Sequence, residues 1–287
     1  MVSTSAGNDP WLRGTSSERQ ASSLPAMSTA VFLHAHPDDE AITTGGTMAL
    51  LASQGHRVVL VTATRGELGE VPDGFLAANE TLTERREHEL TVACQALGVA
   101  RREFLGYRDS GMKGEPTNDN PECFWQANVT EAAERLAVLL RAERADILTA
   151  YDERGVYGHP DHVQVHRVGL LAAELAGTPR VFMATVNRDH LRGLTEAAEE
   201  LELPELDERR EEIDTLGVEA ERITTAIDVS AHLDSKRRAM AAHASQISET
   251  SFFLALPPDM FAAVWGTEWY IRLGAQAQNA LETSLVG

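Results

Sequence analysis

The sequence predicts an α/β fold, a Rossmann-like three-layer sandwich with a mostly parallel sheet and helices on both faces. Short runs of β-branched and apolar residues alternate with longer stretches whose apolar residues recur every three or four positions. The connections between strand-like runs are long enough for crossovers, which favours a parallel sheet covered by helices. A chain of 287 residues with 43% apolar residues can also bury a sizeable core.

The predicted elements alternate without exception up to residue 186. The sequence patterns of the first five strands lie at 30–35, 57–64, 102–107, 146–151 and 180–186. The helical patterns between them lie at 41–54, 83–97, 129–145 and 160–175. A final strand near 222–229 and a helix near 232–247 are expected to return the chain to the sheet.

The chain is predicted to hold one domain, residues 28–287, after a flexible leader. Residues 1–27 are rich in Ser, Gly, Pro and Ala and have no sustained period, and Met27 is an alternative start. A variable acidic excursion is expected around 190–221, since residues 196–221 carry twelve acids and two arginines. We interpret it as a solvated, partly helical segment. The long connection at 108–125 is typical of a lid beside a site.

Composition excludes several classes of partner. The 44 acidic and 25 basic residues give a net charge of −19, which argues against binding to nucleic acid or to an anionic membrane surface. Two cysteines do not make a disulfide framework. The sequence has neither a membrane-spanning apolar run nor a signal-peptide core, so we predict a cytoplasmic protein. Its oligomeric state, including a homo-oligomer, stays open.

The stretch HAHPDDE at 34–40 follows the first predicted strand and carries two histidines and three consecutive acids. Acids beside a proline would suit an ordinary helix start, where carboxylates oppose the positive end of the helix dipole. That explanation does not account for a second segment, GHPDH at 158–162, which repeats the pattern at another strand-to-helix junction. In a parallel sheet both junctions open at the same edge.

This arrangement predicts a divalent metal site. His36 and Asp39 lie three residues apart and can converge at a tight turn, and His162 would complete a set of two imidazoles and one carboxylate. Zinc in catalytic sites commonly takes three such ligands, and ferrous iron accepts the same set. Asp38, next to a ligand, is then free to act as general base on an activated water.

Taken together, HAHPDDE and YGHPDH resemble the LmbE-like, PIG-L type N-acetylglucosaminyl deacetylases, a family that includes the mycothiol-pathway deacetylase and the mycothiol conjugate amidase. The resemblance extends from about residue 30 to residue 246. It implies a hydrolase that removes an N-acyl (acetyl) group from a small glycoconjugate containing glucosamine. It also implies that His36, Asp39 and His162 hold Zn²⁺, with Fe²⁺ as the alternative, and that Asp38 is the general base.

Further roles follow from the resemblance. His159 matches the histidine that stabilises the tetrahedral oxyanion, as a cation held by Asp161, and Tyr157 matches a mobile tyrosine that can approach the same oxygen. Arg86 and Asp109 match positions that hold sugar hydroxyls. The substrate would be a small amino-sugar conjugate, and its aglycone could be inositol, a thiol conjugate or an antibiotic sugar.

Two alternatives to the deacetylase stay open. A mycothiol S-conjugate amidase would use the same residues to cut the amide between glucosamine and an acylated cysteine. A metal-binding or sugar-binding module without catalysis would need no spare base beside the ligands. The sequence has neither the G-x-S-x-G motif of a serine hydrolase nor the G-x-G-x-x-G order of a dinucleotide site, so neither of those classes is favoured.

Four other polar residues have competing interpretations. We expect His34 to be hydrogen-bonded inside the core, and His166, one turn beyond His162, to lie behind the site or on the surface. His243 and Gln246 resemble a C-terminal helix that contributes to the pocket in the family, although polarity of a helix surface would explain them nearly as well.

Overall fold

The computed structural model describes residues 1, 27–199, 210–276 and 280–287, so most of the predicted leader lies outside the described residues. Within these residues, seven strands form one sheet in the order β3-β2-β1-β4-β5-β7-β6. Their bounds are β1 Thr29–His34, β2 Arg57–Thr62, β3 Arg101–Phe104, β4 Ile147–Tyr151, β5 Arg180–Thr185, β6 Thr225–Asp228 and β7 Thr267–Arg272. The first five are parallel, whereas β7 is antiparallel to both β5 and β6.

Helices cover both faces of this sheet, which confirms the predicted Rossmann-like sandwich. The helices before residue 180 are α1 Asp39–Thr43, α2 Gly45–Ser53, α3 Leu82–Leu97, α4 Val129–Glu143, α5 Gly155–Gly158 and α6 Pro160–Ala176. Those after it are α7 Arg188–Glu199, α8 Arg210–Thr215, α9 Leu233–Ala242, α10 Phe252–Ala255 and α11 Pro258–Trp265. No helix of the described residues is long and apolar enough to cross a membrane.

The central strand β1 shows why the sheet has two helical layers. All six of its residues are buried. Phe32 belongs to the core formed with α2, α3 and α9, while Val31 and Leu33 belong to the core formed with α4 and α6. Because successive side chains of a strand point to opposite faces, an apolar run without alternation requires cover on both sides.

Local signals set the ends of the longer helices. Thr81 accepts a hydrogen bond from the Glu84 amide, and the Glu84 side chain accepts one from Thr81, which together form a capping box before α3. Gly98 ends that helix in a left-handed conformation at φ 71°. Asn128 caps α4 by accepting from two backbone amides of its first turn.

The single helix predicted at 41–54 is two helices that meet at Thr44. The reason lies far away in sequence: Glu268 on β7 accepts hydrogen bonds from the amides of Gly46 and Thr47, each at 2.8 Å. The carboxylate thereby satisfies the free amides of a helix that starts at Gly45. Apolar periodicity cannot reveal a break that a distant side chain imposes.

The C-terminal part of the chain holds elements that sequence patterns did not predict. These are α10, α11 and β7, and β7 inserts between β5 and β6. The acidic excursion is in part helical, as expected, since α7 extends into it and α8 lies within it, while residues 200–209 lie outside the described part of the chain.

The strand order places a switch point between β1 and β4. Chain progression runs from β1 outward to β3 on one side and from β4 to β5 on the other. Ligands of open parallel sheets bind where the strand order reverses, at the carboxyl ends of the two central strands. The segments at 34–40 and 158–162 follow β1 and β4, so the topology brings them to one crevice.

Candidate active site

The turn after β1 holds Asp38 in an unusual backbone conformation. Its φ is 120°, which is rare for a residue other than glycine. The Asp38 carbonyl accepts from the amide of Ala41 at 3.0 Å, and its amide donates to Glu40 Oε2 at 3.0 Å. Its Oδ2 lies 3.2 Å from Arg86 Nη2. Strained residues of this kind persist only when their surroundings fix them, and they cluster at functional sites.

The turn after β4 is also strained. Val156 has φ 65° inside the short helix α5, and its amide donates to Asp152 Oδ1 at 3.0 Å. At Gly155 (φ 63°), a Cβ atom would lie 2.5 Å from the Cβ of His162, so this close approach requires glycine. The tight turn brings Tyr157 and His159 over the start of α6.

The two turns meet through three of the predicted residues. Asp39 Oδ2 lies 3.4 Å from His36 Nδ1, and Asp39 Oδ1 lies 3.3 Å from His162 Nε2. All three side chains are buried. Burial would raise the pKa of Asp39, but His162 and His36 hold it well below its ordinary value. The Asp39 carboxylate is therefore an anion between two imidazoles.

His159 caps α6 and adds a third imidazole to the cluster. Ring nitrogens of His36, His159 and His162 lie within 4.8 Å of one another. His159 Nδ1 accepts a hydrogen bond from the amide of Asp161 at 3.1 Å. Burial lowers the pKa of His159 to about 3, so the ring is neutral. Since Nδ1 accepts, the proton of this neutral ring lies on Nε2.

One expected pairing differs in the structure, because Asp161 does not hold His159 as a cation. The Asp161 carboxylate turns away from His159: Oδ2 lies 3.1 Å from His36 Nε2 and accepts from the amide of Ser110 at 3.0 Å, while Oδ1 accepts from the Ser110 hydroxyl. Burial alone would lower the pKa of His36, but hydrogen bonds to Asp109, Asp161 and Asp39 raise it well above its ordinary value. Asp161 therefore positions His36 with its side chain and His159 with its backbone.

Asp38 combines burial with a close contact to the Arg86 cation. Burial raises the pKa of Asp38 to about 6, although the Arg86 guanidinium opposes the rise. A carboxylate with a pKa near neutrality, beside a cluster of metal-ligating side chains, has the properties of a general base.

Arg86 and Asp109 are the two predicted sugar-binding residues, and both line a cavity beside the cluster. Both also form hydrogen bonds to backbone groups. Arg86 Nη1 donates to the carbonyl of Gly66 at 2.7 Å and Nη2 to that of Pro37 at 2.5 Å. Asp109 Oδ1 accepts from the amide of Gly111 at 2.9 Å and lies 3.5 Å from His36 Nε2. Their contact with a sugar stays a prediction.

The cluster opens into a cavity of about 680 Å³, a size suited to a small-molecule ligand. All but one of the nine predicted site residues line it, namely His36, Asp38, Asp39, Arg86, Asp109, Tyr157, His159 and His162. Asp161 lies behind them. The rest of the wall is largely apolar, with Leu191, Leu194, Phe252, Phe253, Leu256 and Trp265. A second cavity, of about 610 Å³ beside α6, contains none of the predicted site residues.

Of three polar residues behind the site, only Ser110 is not identified from the sequence, since His243 has two competing interpretations and His34 is expected in the core. Ser110 is fully buried and bridges the loop at 108–125 to Asp161. His243, for which the sequence allows either a pocket role or a position on a helix surface, is fully buried. Its Nε2 lies 2.6 Å from Glu40 Oε1. His34 is buried as expected and hydrogen-bonds the Tyr151 hydroxyl at 2.7 Å. Glu40, the third acid of the motif at 34–40, is the one feature of the sequence that indicates a buried partner such as His243.

The cluster fits a divalent cation on the chemistry of its donors. Neither ring nitrogen of His162 has a hydrogen-bond partner among the described residues, although the ring is only 2% exposed. A buried imidazole that only faces a carboxylate at 3.3 Å, without a hydrogen bond, is costly unless a ligand completes it. Asp39 provides oxygen donors and His36 a nitrogen donor beside it. The Asp161 carboxylate contacts His36 Nε2, as carboxylates commonly do behind metal-bound histidines.

The packing of Arg86 yields a first testable prediction. A Cβ atom on Gly66 would lie 2.4 Å from the Arg86 guanidinium, whereas one on Gly106 would meet nothing within 4 Å. Both glycines have positive φ, 63° and 82°. Each alanine variant should lose about 1 kcal/mol or more of folding free energy from backbone strain. Only Gly66→Ala should also displace Arg86 and lower kcat/KM, by about tenfold or more. Equal activity of the two folded variants would contradict this account of Arg86.

Comparisons with known proteins agree with this geometry. Residues 31–173 match the family model described as PIG-L, GlcNAc-PI de-N-acetylase. A Thermomonospora curvata protein named 1D-myo-inositol 2-acetamido-2-deoxy-alpha-D-glucopyranoside deacetylase is 42% identical over 268 residues, which cover 85% of this chain and 89% of the relative. An Acidothermus cellulolyticus protein of the same name is 43% identical over 267 residues, 87% of this chain and 90% of the relative.

Solved structures agree on the fold. The N,N'-diacetylchitobiose deacetylase of Pyrococcus horikoshii is 20% identical, with a TM-score of 0.54 over 86% of this chain and 84% of that protein. The fold and the sequence matches together define a PIG-L type deacetylase. The chain belongs to the PIG-L, or LmbE-like, family of N-acetylglucosaminyl deacetylases, which confirms the resemblance seen in its two motifs.

Proposed function

We propose that this protein is a metal-dependent hydrolase that removes the acetyl group from the 2-acetamido position of a glucosamine unit joined to inositol. The convergence of His36, Asp39 and His162 beside the spare carboxylate of Asp38 carries this proposal. The names of the relatives at 42% and 43% identity support the choice of the inositol glycoside.

The metal we propose is Zn²⁺, with Fe²⁺ as the alternative, held by His36, Asp39 and His162. When bound, such an ion polarises a carbonyl group and lowers the pKa of water. His159 is close enough to the other imidazoles to compete with Asp39 as a third ligand. Its position as the cap of α6, with Nδ1 already accepting a hydrogen bond, favours a separate role.

Asp38 is the proton carrier of the proposed reaction. Its carboxylate accepts a proton from the attacking water and passes it to the nitrogen of the departing amine, so that acetate and a free amine leave. The pKa of about 6 suits both transfers, because the group is mostly ionised near neutral pH and still basic enough to take a proton. Arg86 Nη2, 3.2 Å from Asp38 Oδ2, holds the carboxylate in place.

His159 and Tyr157 are the donors for the carbonyl oxygen. A neutral His159 with its proton on Nε2 can donate to that oxygen as negative charge develops on it. The ring of Tyr157 lies 6.1 Å from that of His159, centroid to centroid, and is 44% exposed, so its hydroxyl can approach from the open side of the cavity. We propose that Arg86 and Asp109, at the cavity wall, bind sugar hydroxyls.

The direct experiment is acetate release from the 2-acetamido glycoside of inositol. The purified protein should produce acetate and free amine in equal amounts. The matching glucoside, which has a hydroxyl in place of the acetamido group, should yield no product. A protein that binds metal and the glycoside but releases no acetate would instead be a non-catalytic metal-binding or sugar-binding module.

A second candidate is an amidase acting on a mycothiol-type S-conjugate. The apolar part of the cavity wall, with Phe252, Phe253 and Trp265, favours it, because a conjugate carries an apolar group that an inositol glycoside lacks. Turnover of the two substrates should be compared at equal concentration. The deacetylase assignment predicts a higher kcat/KM for the acetamido glycoside, and the reverse order would establish the amidase.

A further inference from the structure

The third acid of the motif, Glu40, has no part in the proposed reaction and yet is one of the most deeply buried charges of the site. Its side chain is 0% exposed, as is that of His243. Its two carboxylate oxygens have separate partners: Oε1 lies 2.6 Å from His243 Nε2, and Oε2 accepts from the amide of Asp38 at 3.0 Å. Glu40 thus connects His243, 203 residues away, to the backbone of the proposed base.

The Asp38 backbone needs such a connection. At φ 120° it is in a region that L-residues rarely adopt and that persists only when the surroundings fix it. No side chain caps α1 at this point in the usual way, because the Asp38 carboxylate faces Arg86 and the cavity instead. If the Asp38 peptide relaxed to negative φ, its amide would leave Glu40 and its carboxylate would turn out of its present position.

We propose that Glu40 and His243 form a buried positioning dyad, in which His243 fixes Glu40 and Glu40 holds the Asp38 amide, so that the strained turn keeps the Asp38 carboxylate aimed into the cavity. This inference goes beyond the proposed function and rests on it for the role of Asp38. Neither residue lines the cavity, so both act through Asp38 rather than on a substrate.

A simpler explanation is that the contact between Glu40 and His243 only stabilises the fold. The chain contains a contact of that kind for comparison. Two residues after His243, Ser245 donates to Glu89 from its amide at 2.9 Å and from its hydroxyl at 2.6 Å. This contact anchors the same C-terminal segment to α3 without touching Asp38. Ser245→Ala is therefore the matched control for loosening of the segment.

The test compares Glu40→Gln, His243→Ala, His243→Gln and Ser245→Ala. A glutamine at position 40 has one acceptor oxygen, so it cannot accept from the Asp38 amide and from a His243 Nε2–H through two separate oxygens as Glu40 does. Glu40→Gln and His243→Ala should lower kcat about tenfold to a hundredfold, the usual range for residues that orient a site from behind, with KM and metal content within about twofold of wild type. His243→Gln places an amide donor near Oε1 and should recover at least a third of the wild-type kcat. Ser245→Ala should keep the wild-type kcat.

Unchanged kcat in Glu40→Gln and His243→Ala would overturn the dyad, as would a loss confined to KM or metal content, or an equal loss in Ser245→Ala. If Glu40→Gln does not fold, the two His243 variants decide. Crystal structures give a readout that does not depend on the reaction: in His243→Ala the φ of Asp38 should leave the positive region, and φ still near 120° would refute the proposal. If the wild-type protein releases no acetate, only the proposed function is contradicted. The φ of Asp38 in the His243→Ala structure then still tests the dyad.

Discussion

Replacing Asp38 with asparagine is expected to lower kcat for acetate release by about a hundredfold to ten-thousandfold, the usual contribution of a general base. Asparagine has nearly the same shape and also tolerates positive φ, so the turn at φ 120° should persist. The amide cannot accept the proton of the attacking water. Metal content, measured by elemental analysis, should stay equal to that of wild type, because Asp38 is not among the proposed ligands.

The control for this substitution is Asp73→Asn, which removes the same charge from an exposed position outside the cavity. Its kcat should equal that of wild type. If Asp38→Asn retained its metal and released acetate at nearly the wild-type rate, Asp38 could not be the base.

His162→Ala is expected to abolish metal binding and, with it, acetate release. The imidazole is buried and stacked on Tyr151 with ring centroids 4.4 Å apart. Neither of its nitrogens makes a hydrogen bond within the described residues, and Nε2 faces the Asp39 carboxylate at 3.3 Å. Loss of one of three protein ligands leaves a set too small to retain the ion against dialysis. Elemental analysis should find well under a tenth of the wild-type metal, and acetate release should fall to the level of a blank.

His166→Ala is the matched control, since His166 lies one turn further along the same helix. Its Nδ1 pairs with the carbonyl of Tyr151 at 2.9 Å, which makes it a structural contact outside the cavity. The variant should keep both metal and activity. Equal metal loss in the two variants would mean that α6 as a whole, rather than the His162 imidazole, supports binding.

Apart from the edge strand β3, whose Arg101 is exposed, the first five strands and the α/β alternation could be predicted because these strands are buried on both faces and consist largely of apolar residues. β1 illustrates this, with every residue buried. β7 could not be predicted in the same way. Its sequence, TEWYIR, mixes a buried Glu268 with aromatic residues, and Glu268 is there because it caps α2 and pairs with Lys236 at 2.5 Å.

The meeting of His36, Asp39 and His162 could be expected from topology, because both turns follow central parallel strands. The partners of the three acids at 38–40 could not be expected from topology. Burial of Asp39 and Glu40 beside the half-buried Asp38 would be prohibitive without compensation, and the structure provides a separate partner for each. Asp38 pairs with Arg86, Asp39 lies between two imidazoles, and Glu40 pairs with His243.

Those partners come from α3, α6 and the end of α9, so only the folded chain brings them together. The same limit explains why Asp161 was assigned to His159. The two residues are neighbours in sequence, but the start of α6 directs the carboxylate toward His36 and Ser110, and leaves only the Asp161 amide for His159.

Metal analysis coupled to acetate release, before and after chelation, tests the central claim most directly. The account predicts about one divalent ion per chain, release of acetate from the acetamido glycoside of inositol, loss of that activity on complete removal of the metal, and recovery when Zn²⁺ or Fe²⁺ is restored. Undiminished acetate release from protein shown to be free of metal would contradict it.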